Sequence, residues 1–109
     1  MNVFAAISEP TRRTILDLVL KQPMSVGEIK KEFPSITQPG ISKHLRILRR
    51  AKLVRVTIDA QRRVYSLNYT GFNEINSWII KYQKFWNSKL DSLEEFLEDN
   101  NKQGVNEDS

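Results

Sequence analysis

Two short helices in close succession constrain the fold of this chain more than any other feature. Ser25 and Glu28 have the spacing of a capping box, in which each side chain accepts a hydrogen bond from the backbone amide of the other residue. This predicts a short helix, and Pro34 ends it. Thr37 is the next N-cap candidate, and Pro39 stands early in the helix that follows.

The second of these helices carries its apolar residues on one side. Ile41, Leu45 and Leu48 lie at intervals of four and three. Two short helices joined by a turn of about four residues form a helix-turn-helix layout. In that layout the second helix enters the major groove of DNA by its N-terminal residues. We therefore expect the residues that read DNA to lie on the helix that begins near Thr37.

After this helix the apolar period changes to two. Strand-forming residues occupy 53–58 and 64–67, and a turn is expected over 59–62. A hairpin directly after a recognition helix is a wing. Its tip and flanks carry Arg55, Arg62 and Arg63, which are placed to meet a minor groove or a run of phosphates.

Helices are also predicted at both ends of the chain. Residues 1–7 are predicted to form a short apolar helix. A second helix follows, with Ser8 as its N-cap, and runs to about Lys21. Thr70 is the expected cap of the last helix, whose apolar residues recur at steps of three and four as far as Leu97.

A small domain cannot cover so long an apolar face alone, so the expected partner is a second copy of the chain. The alternatives are a groove for another protein or a cofactor box. The predicted dimer interface consists of Phe4, Phe72, Ile75, Trp78, Ile79, Tyr82, Trp86, Leu90 and Leu93.

Composition fits one domain and excludes several classes of protein. The chain has 109 residues, and a 39% hydrophobic share is enough for one modest core. With no cysteine there is no disulfide, thiolate metal site or cysteine nucleophile. No apolar run is long enough to span a bilayer, so a cytoplasmic protein is expected. We expect a folded domain over 1–98 and a disordered acidic tail over 99–109.

Positive charge concentrates on the predicted reading surface. Between Lys43 and Arg63 there are eight basic side chains and one acid, Asp59. Such a stretch is the electrostatic footprint of a phosphate-binding surface. Charge alone leaves open a merely solvated basic face, and the position of the stretch on recognition helix and wing favours DNA.

Taken together, these motifs resemble the ArsR family of bacterial transcriptional repressors, over roughly residues 2–98. The segments that carry the resemblance are 8–13 (SEPTRR), 25–29 (SVGEI), 38–48 (QPGISKHLRIL), 53–54 (LV) and 63–65 (RVY). The resemblance implies a homodimeric winged helix-turn-helix protein, mainly α-helical with a small β-hairpin. By the same resemblance, such a protein is expected to dock two recognition helices into successive major grooves of an imperfect inverted-repeat operator. Many repressors of this family release DNA when an effector binds.

By motif position, the resemblance places the DNA contacts at the start of the recognition helix. Gln38 can pair bidentately with adenine, Ser42 can meet a base edge or a phosphate, and Lys43 a guanine or a phosphate. Gly40 replaces a polar side chain common there, so phosphates and DNA shape must contribute more. The full set of predicted DNA-binding residues is Thr37, Gln38, Pro39, Gly40, Ser42, Lys43, Arg46, Arg62 and Arg63.

Other basic residues keep two interpretations. Arg12 and Arg13 either fasten their helix to its neighbours through ion pairs or contact phosphates. Arg49 and Arg50 lie further down the recognition helix and are either solvated or in contact with DNA.

The metal-ligating side chains that the sequence offers favour a regulator without a metal or another cofactor. Well-known members of the family bind metals through paired cysteines before the recognition helix, or through histidines and carboxylates on the last helix. Here Ser25, Val26 and Gly27 occupy the positions of the paired cysteines. The single histidine, His44, lies in the recognition helix. The long aromatic helix resembles the metal-free branch, in which the effector is an organic ligand, a partner protein or none.

Competing functions have less support. The sequence has one histidine, no cysteine and no glycine-rich phosphate loop, which argues against an enzyme. A protein interaction module, built on the same fold and using the aromatic last helix, is the stronger rival. Such a module would have no need of the basic stretch. RNA binding is a weaker alternative, because the deep, narrow major groove of an RNA duplex would exclude the recognition helix.

Overall fold

The computed structural model describes the chain from Asn2 onward, with side chains as far as Asn101 and backbone as far as Asp108. It confirms a mainly helical fold with a β-hairpin wing. The elements in chain order are α1 (Val3–Ile7), α2 (Pro10–Lys21), β1 (Met24–Ser25), α3 (Val26–Lys31), α4 (Gln38–Arg50), β2 (Val54–Asp59), β3 (Arg62–Leu67) and α5 (Tyr69–Asp108).

The predicted caps of the two central helices are confirmed. Ser25 Oγ accepts from the amide of Glu28 at 3.3 Å, and the Ser25 amide donates to Glu28 Oε1 at 3.1 Å. Thr37 Oγ1 accepts from the amide of Gly40 at 3.2 Å. These bonds satisfy amides that a helix leaves unpaired in its first turn, so α3 and α4 begin where the sequence predicts.

The predicted cap of α2 was wrong by one residue. Glu9, not Ser8, is the N-cap, and its carboxylate accepts from the Arg12 amide at 3.0 Å. Ser8 instead ends α1 as its C-cap, and its hydroxyl donates to a carbonyl of that helix. Both side chains are able to accept from an amide, but the Ser8 hydroxyl already donates to the carbonyl of Ala5 in α1.

The start of α5 also differs from the prediction, because Thr70 lies inside the helix. Asn68 Oδ1 accepts from the Thr70 amide at 3.0 Å and so satisfies one amide of the first turn. The next residue, Gly71, donates from its amide to the carbonyl of Lys52 at 2.7 Å. Lys52 has a left-handed backbone with φ of 59°, and this turn brings the end of α4 against the beginning of α5.

The wing is the outer part of a three-stranded antiparallel sheet with the order β1-β3-β2. A two-residue turn joins β2 to β3, and Ala60 and Gln61 both have positive φ, which matches the twist of a tight hairpin. Sequence analysis did not predict β1. This strand pairs Met24 with Tyr65, so the wing is tied to the segment that starts α3.

The chain divides into two compact units, Met1–Ile75 and Asn76–Ser109. The first holds one hydrophobic core, in which helices α1 to α4 and the sheet meet. Its fully buried large side chains are Val3, Ile15, Ile29, Ile41, Leu45, Leu48, Leu53 and Val54. Phe4, Phe72 and Ile75, which were predicted at the dimer interface, are partly buried against this core.

The second unit consists of α5 from Asn76 onward, and its apolar side chains are about half exposed. Exposed fractions are 48% for Trp78, 45% for Ile79, 51% for Tyr82, 59% for Trp86, 55% for Leu90 and 51% for Leu93. The predicted acidic tail falls mostly on residues whose side chains are outside the described part, and it stays a prediction. Within the part of the chain that is described, no helix is long and apolar enough to cross a membrane.

Candidate nucleic-acid interface

The first turn of α4 is presented at the surface. Its buried side is formed by Ile41, Leu45 and Leu48, each with no exposed surface. Because a helix that buries one stripe exposes the opposite side, the predicted reading residues lie outward. Thr37, Gln38, Pro39, Lys43 and Arg46 are exposed, and Gly40 and Ser42 are partly buried.

Gly40 is required by the packing of the turn before α4. A Cβ at this position would lie 2.9 Å from Ile36 Cγ2 and 3.3 Å from the capping oxygen of Thr37. Ile36 itself packs against the core. The glycine therefore lets the turn close on the helix, which is a structural reason for the absence of a side chain that the sequence alone did not reveal.

A groove of about 350 Å³ separates α4 from the hairpin. Its lining residues are Val26, Gln38, Ser42, Arg46, Arg49, Arg63 and Tyr65. The four on α4 follow one another at intervals of four, four and three. The two on β3 are two residues apart and so share a face of the strand. The groove thus brings together four residues predicted to bind DNA and adds Arg49, whose helical spacing could have assigned it to this side.

Arg62 has a different environment from its neighbour Arg63. Its Nη2 donates to Glu28 Oε1 at 2.5 Å, so the hairpin is linked to the N-terminus of α3. Hydrogen bonds from the amide and hydroxyl of Ser25, together with the positive charge of Arg62, hold the pKa of Glu28 below its ordinary value. The two wing arginines predicted to bind DNA are therefore separated, with Arg63 in the groove and Arg62 in an ion pair.

A second polar cluster lies at the contact of α2 with α4. Arg12 donates from Nε to the carbonyl of Ala6 at 2.6 Å, and its Nη1 is 3.3 Å from Nδ1 of His44. The same His44 nitrogen is 3.9 Å from Oε2 of Glu9. Arg12 therefore fastens its helix to α1 through a backbone carbonyl and contacts the recognition helix through His44.

Arg13 has a similar attachment, because its Nη1 donates to the carbonyl of Ile7 at 2.8 Å. The fastening role anticipated for both arginines is thus seen, with carbonyl oxygens as acceptors. Among the described residues, no group of three or more His, Cys, Asp and Glu side chains is arranged to hold a metal ion.

A helix-turn-helix followed by a hairpin wing, with an exposed reading helix and a basic groove beside it, defines a winged helix-turn-helix DNA-binding domain. Comparison with known proteins agrees with this class. A family model described as a helix-turn-helix domain matches residues 7–57.

Two curated relatives extend the match beyond this segment. The transcriptional repressor SdpR of Bacillus subtilis is 42% identical over 81 residues, which cover 74% of this chain and 89% of that protein. The HTH-type transcriptional regulator Rv2034 of Mycobacterium tuberculosis is 30% identical over 97 residues, covering 89% of this chain and 87% of that one.

Solved structures show the same fold. An ArsR family transcriptional regulator superposes with a TM-score of 0.69 at 27% identity, covering 79% of this chain and 88% of its own. HlyU from Vibrio cholerae superposes with a TM-score of 0.59 at 30% identity, covering 77% of this chain and 87% of that one. The chain belongs to the ArsR family of winged helix-turn-helix transcriptional regulators. It is a DNA-binding regulator and not an enzyme.

Proposed function

We propose that the protein is a homodimeric repressor that binds an imperfect inverted-repeat operator and is not controlled by a metal ion. The observation that carries the proposal is the exposed first turn of α4, with Gln38 and Ser42 next to a groove lined by arginines. The amide of Gln38 suits adenine, and the arginines suit phosphate. Repression is inferred from the relative SdpR, which is named as a repressor.

A second copy of the chain is the proposed occupant of the apolar face of α5. This face exposes about half of each of several large aromatic and aliphatic side chains, among them Trp78, Trp86 and Leu93. Apolar area of this extent on a single helix is typical of an interaction surface. A homodimer would also supply the second recognition helix that an inverted repeat requires.

Metal independence rests on the ligands that the sequence offers. The chain has no cysteine and one histidine, and that histidine is engaged with Arg12 in the α2–α4 contact. Carboxylates alone bind transition metals weakly. Any organic effector or partner protein would act at the aromatic face of α5. Since the target is DNA, the proposed location is the cytoplasm.

The alternative function, a protein interaction module on the same fold, is favoured by the exposed aromatic helix alone. It gives no reason for Arg46, Arg49 and Arg63 to converge on one groove beside the reading helix. Binding to DNA accounts for both features.

The test begins with selection of fragments bound from genomic DNA. The expected result is an imperfect inverted repeat whose half-sites are centred about 10 base pairs, or a multiple of that, apart. Replacing Gln38 and Lys43 by alanine should then abolish preference for this operator and leave the dimer intact. The matched control replaces Lys21 and Gln22, which are exposed at the end of α2. Absence of a repeated motif, or equal losses in both variants, would contradict the proposal.

A further inference from the structure

A second cavity lies in the first unit and shares no lining residue with the groove beside α4. It measures about 280 Å³ and is bounded by the second half of α2, the end of β3 and the first turn of α5. The described residues that line it are Leu16, Asp17, Leu20, Leu67, Tyr69 and Phe72. Apart from one carboxylate and one phenol, the side chains of this lining are hydrocarbon.

We propose that the cavity binds a small organic cation, an aromatic molecule that carries a positively charged amine. The inference does not depend on the proposed function, because no lining residue belongs to the predicted DNA contacts. An apolar cavity of about 150 Å³ holds a benzene molecule, so about 280 Å³ gives room for one aromatic ring and a short cationic group.

The walls of the cavity are part of the folded scaffold. Leu16 is 7% exposed and belongs to the hydrophobic core, and Leu67 and Phe72 pack against that core. The amide of Gly71 donates to the carbonyl of Lys52 at 2.7 Å, which holds the first turn of α5 in place. The cavity is therefore formed before a ligand arrives, as ligand sites in proteins usually are.

Two of the lining side chains are exposed and so form the mouth of the cavity. Leu20 is 67% exposed and Tyr69 is 70% exposed, although both are large and largely apolar. Apolar surface gathered around a concave site is typical of a place that a ligand covers. The aromatic part of the ligand would remove this surface from water.

Asp17 determines the charge of the ligand. It is the only carboxylate among the described lining residues, and none of them is basic. Its side chain has no hydrogen bond or ion pair in the described part of the chain, although Arg13 and Lys21 lie one turn before and after it on α2. Arg13 instead donates to the carbonyl of Ile7. A carboxylate left beside an apolar cavity attracts a cation and repels an anion.

The two aromatic rings of the lining favour the same charge. Tyr69 and Phe72 are the first aromatic residues of α5, and both line the cavity together with Asp17. The face of an aromatic ring attracts an organic cation, and proteins bind quaternary ammonium groups with such rings. A carboxylate and two rings around one small cavity therefore fit an amine with an apolar body.

The experiment titrates into the full chain three probes that share a benzyl group and differ in charge. Benzyltrimethylammonium is the cation, benzyl alcohol the neutral molecule and phenylacetate the anion. Calorimetry should give a Kd of about 1 mM or lower for the cation, weaker binding for benzyl alcohol and the weakest for phenylacetate. Amide NMR shifts caused by the cation should lie in α2, at the end of β3 and in the first turn of α5.

Two substitutions at exposed lining residues test the cavity, and the wing offers a matched control for each. Asp17→Asn should weaken binding of the cation by about two- to fivefold, the range for exposed charge pairs, and leave benzyl alcohol unaffected. Leu20→Lys should abolish binding of the cation, because it places a positive charge at the mouth. The controls, Asp59→Asn and Ile58→Lys, make the same changes at exposed residues outside the cavity and should leave binding unchanged.

Three results would overturn the proposal. Equal binding of the three probes, or equal losses in the variants and their controls, would refute the assignment to a cation. NMR shifts confined to α5 beyond Ile75 would place the probe on the face proposed for the second copy and not in the cavity. Sedimentation should give the same oligomeric state with and without saturating benzyltrimethylammonium, and conversion of a dimer to monomers would assign the cavity to the second copy instead.

Discussion

The guanidinium of Arg62 hydrogen-bonds Oε1 of Glu28 at 2.5 Å, across the gap between the hairpin and α3. The same carboxylate oxygen accepts from the amide and the hydroxyl of Ser25, at 3.1 and 2.9 Å. One atom therefore caps a helix and neutralises a basic residue of the wing. Both side chains are about half exposed, at 58% and 43%, so solvent screens the pair and it adds little to stability.

Glu28→Gln should strengthen binding to DNA. Glutamine keeps the capping geometry, because Gln serves in a capping box as well as Glu, and it removes the charge that neutralises Arg62. If Arg62 then meets a phosphate, affinity at low salt should rise and the salt plot should steepen by about 0.9. Titrations of duplex DNA over a range of salt concentrations would measure both quantities.

Glu32→Gln provides the control, since it removes an equal charge just after the end of α3 and no described hydrogen bond joins Glu32 to Arg62. A gain of the same size in both variants would show that net charge, and not release of Arg62, is responsible. No gain in Glu28→Gln would remove Arg62 from the DNA-binding set.

Glu28 should also make stability depend on pH at the acid end. Hydrogen bonds from Ser25 and the charge of Arg62 lower the pKa of Glu28 below its ordinary value of 4.5. A carboxylate whose pKa is lowered by folding stabilises the protein above the ordinary pKa, and this contribution is lost as pH falls through the lowered pKa. In urea denaturation, Glu28→Gln should be less stable than wild type at neutral pH and equal to it once the wild-type carboxylate is protonated. A difference that persisted unchanged into acid would contradict the charged interaction.

Gly71 is the position in the first unit where a methyl group should be least tolerated. A Cβ there would lie 2.6 Å from the carbonyl oxygen of Lys52 and 2.7 Å from that of Ala51, and a backbone cannot yield as a flexible side chain does. We expect Gly71→Ala to lower the free energy of unfolding by about 1–3 kcal/mol.

Gly27→Ala is the matched substitution, because nothing lies within 4 Å of a Cβ at Gly27 in α3. It should be neutral or stabilise by up to about 1 kcal/mol, since alanine is the better helix former. Chemical denaturation of both variants would measure the contrast. Equal stabilities would show that α5 does not pack on the Ala51–Lys52 turn as described.

Local signals explain why so much of this fold was predictable. The spacing of Ser25 and Glu28, the oxygen of Thr37, and the change of apolar period after α4 each depend on neighbours along the chain. Each of these predictions was confirmed. The prediction of Ser8 as the cap of α2 was wrong because the next residue, Glu9, can also accept from an amide.

Features that depend on distant residues were not predictable in the same way. β1 is two residues long, too short to show a period, and only its pairing with β3 defines it. Likewise, no pattern along the chain could show that Arg62 meets Glu28 while Arg63 meets the groove beside α4. Adjacent strand residues point to opposite faces, and what each face meets is decided by tertiary packing.

Arg12 should matter for stability more than for DNA affinity. It donates from Nε to Ala6 at 2.6 Å and from Nη2 to Ala5 at 3.3 Å, and it contacts His44. Arg12→Ala leaves the carbonyl of Ala6, whose bond to Arg12 is partly buried, without this donor and should cost about 1–3 kcal/mol of unfolding free energy. Arg13→Ala, which removes one exposed hydrogen bond, should cost about 1 kcal/mol or less. A salt plot that became shallower by about 0.9 with Arg12→Ala, at unchanged stability, would assign Arg12 to a phosphate instead.

The apolar face of α5 should determine the oligomeric state. Trp86 and Leu93 are 59% and 51% exposed, one helical heptad apart, and burial in a dimer would contribute about 1.5–3 kcal/mol for each such side chain. Replacing both by serine should therefore weaken dimerisation by at least about a hundredfold and yield monomers in sedimentation at micromolar concentration.

The control replaces Lys84 and Asp91 by serine, which keeps the same spacing on the same helix and should leave the dimer intact. Thermal unfolding adds a second measurement, because the Tm of a dimer rises with protein concentration and that of a monomer does not. A dimer that survived the loss of Trp86 and Leu93, with a concentration-dependent Tm, would show that the second copy binds elsewhere.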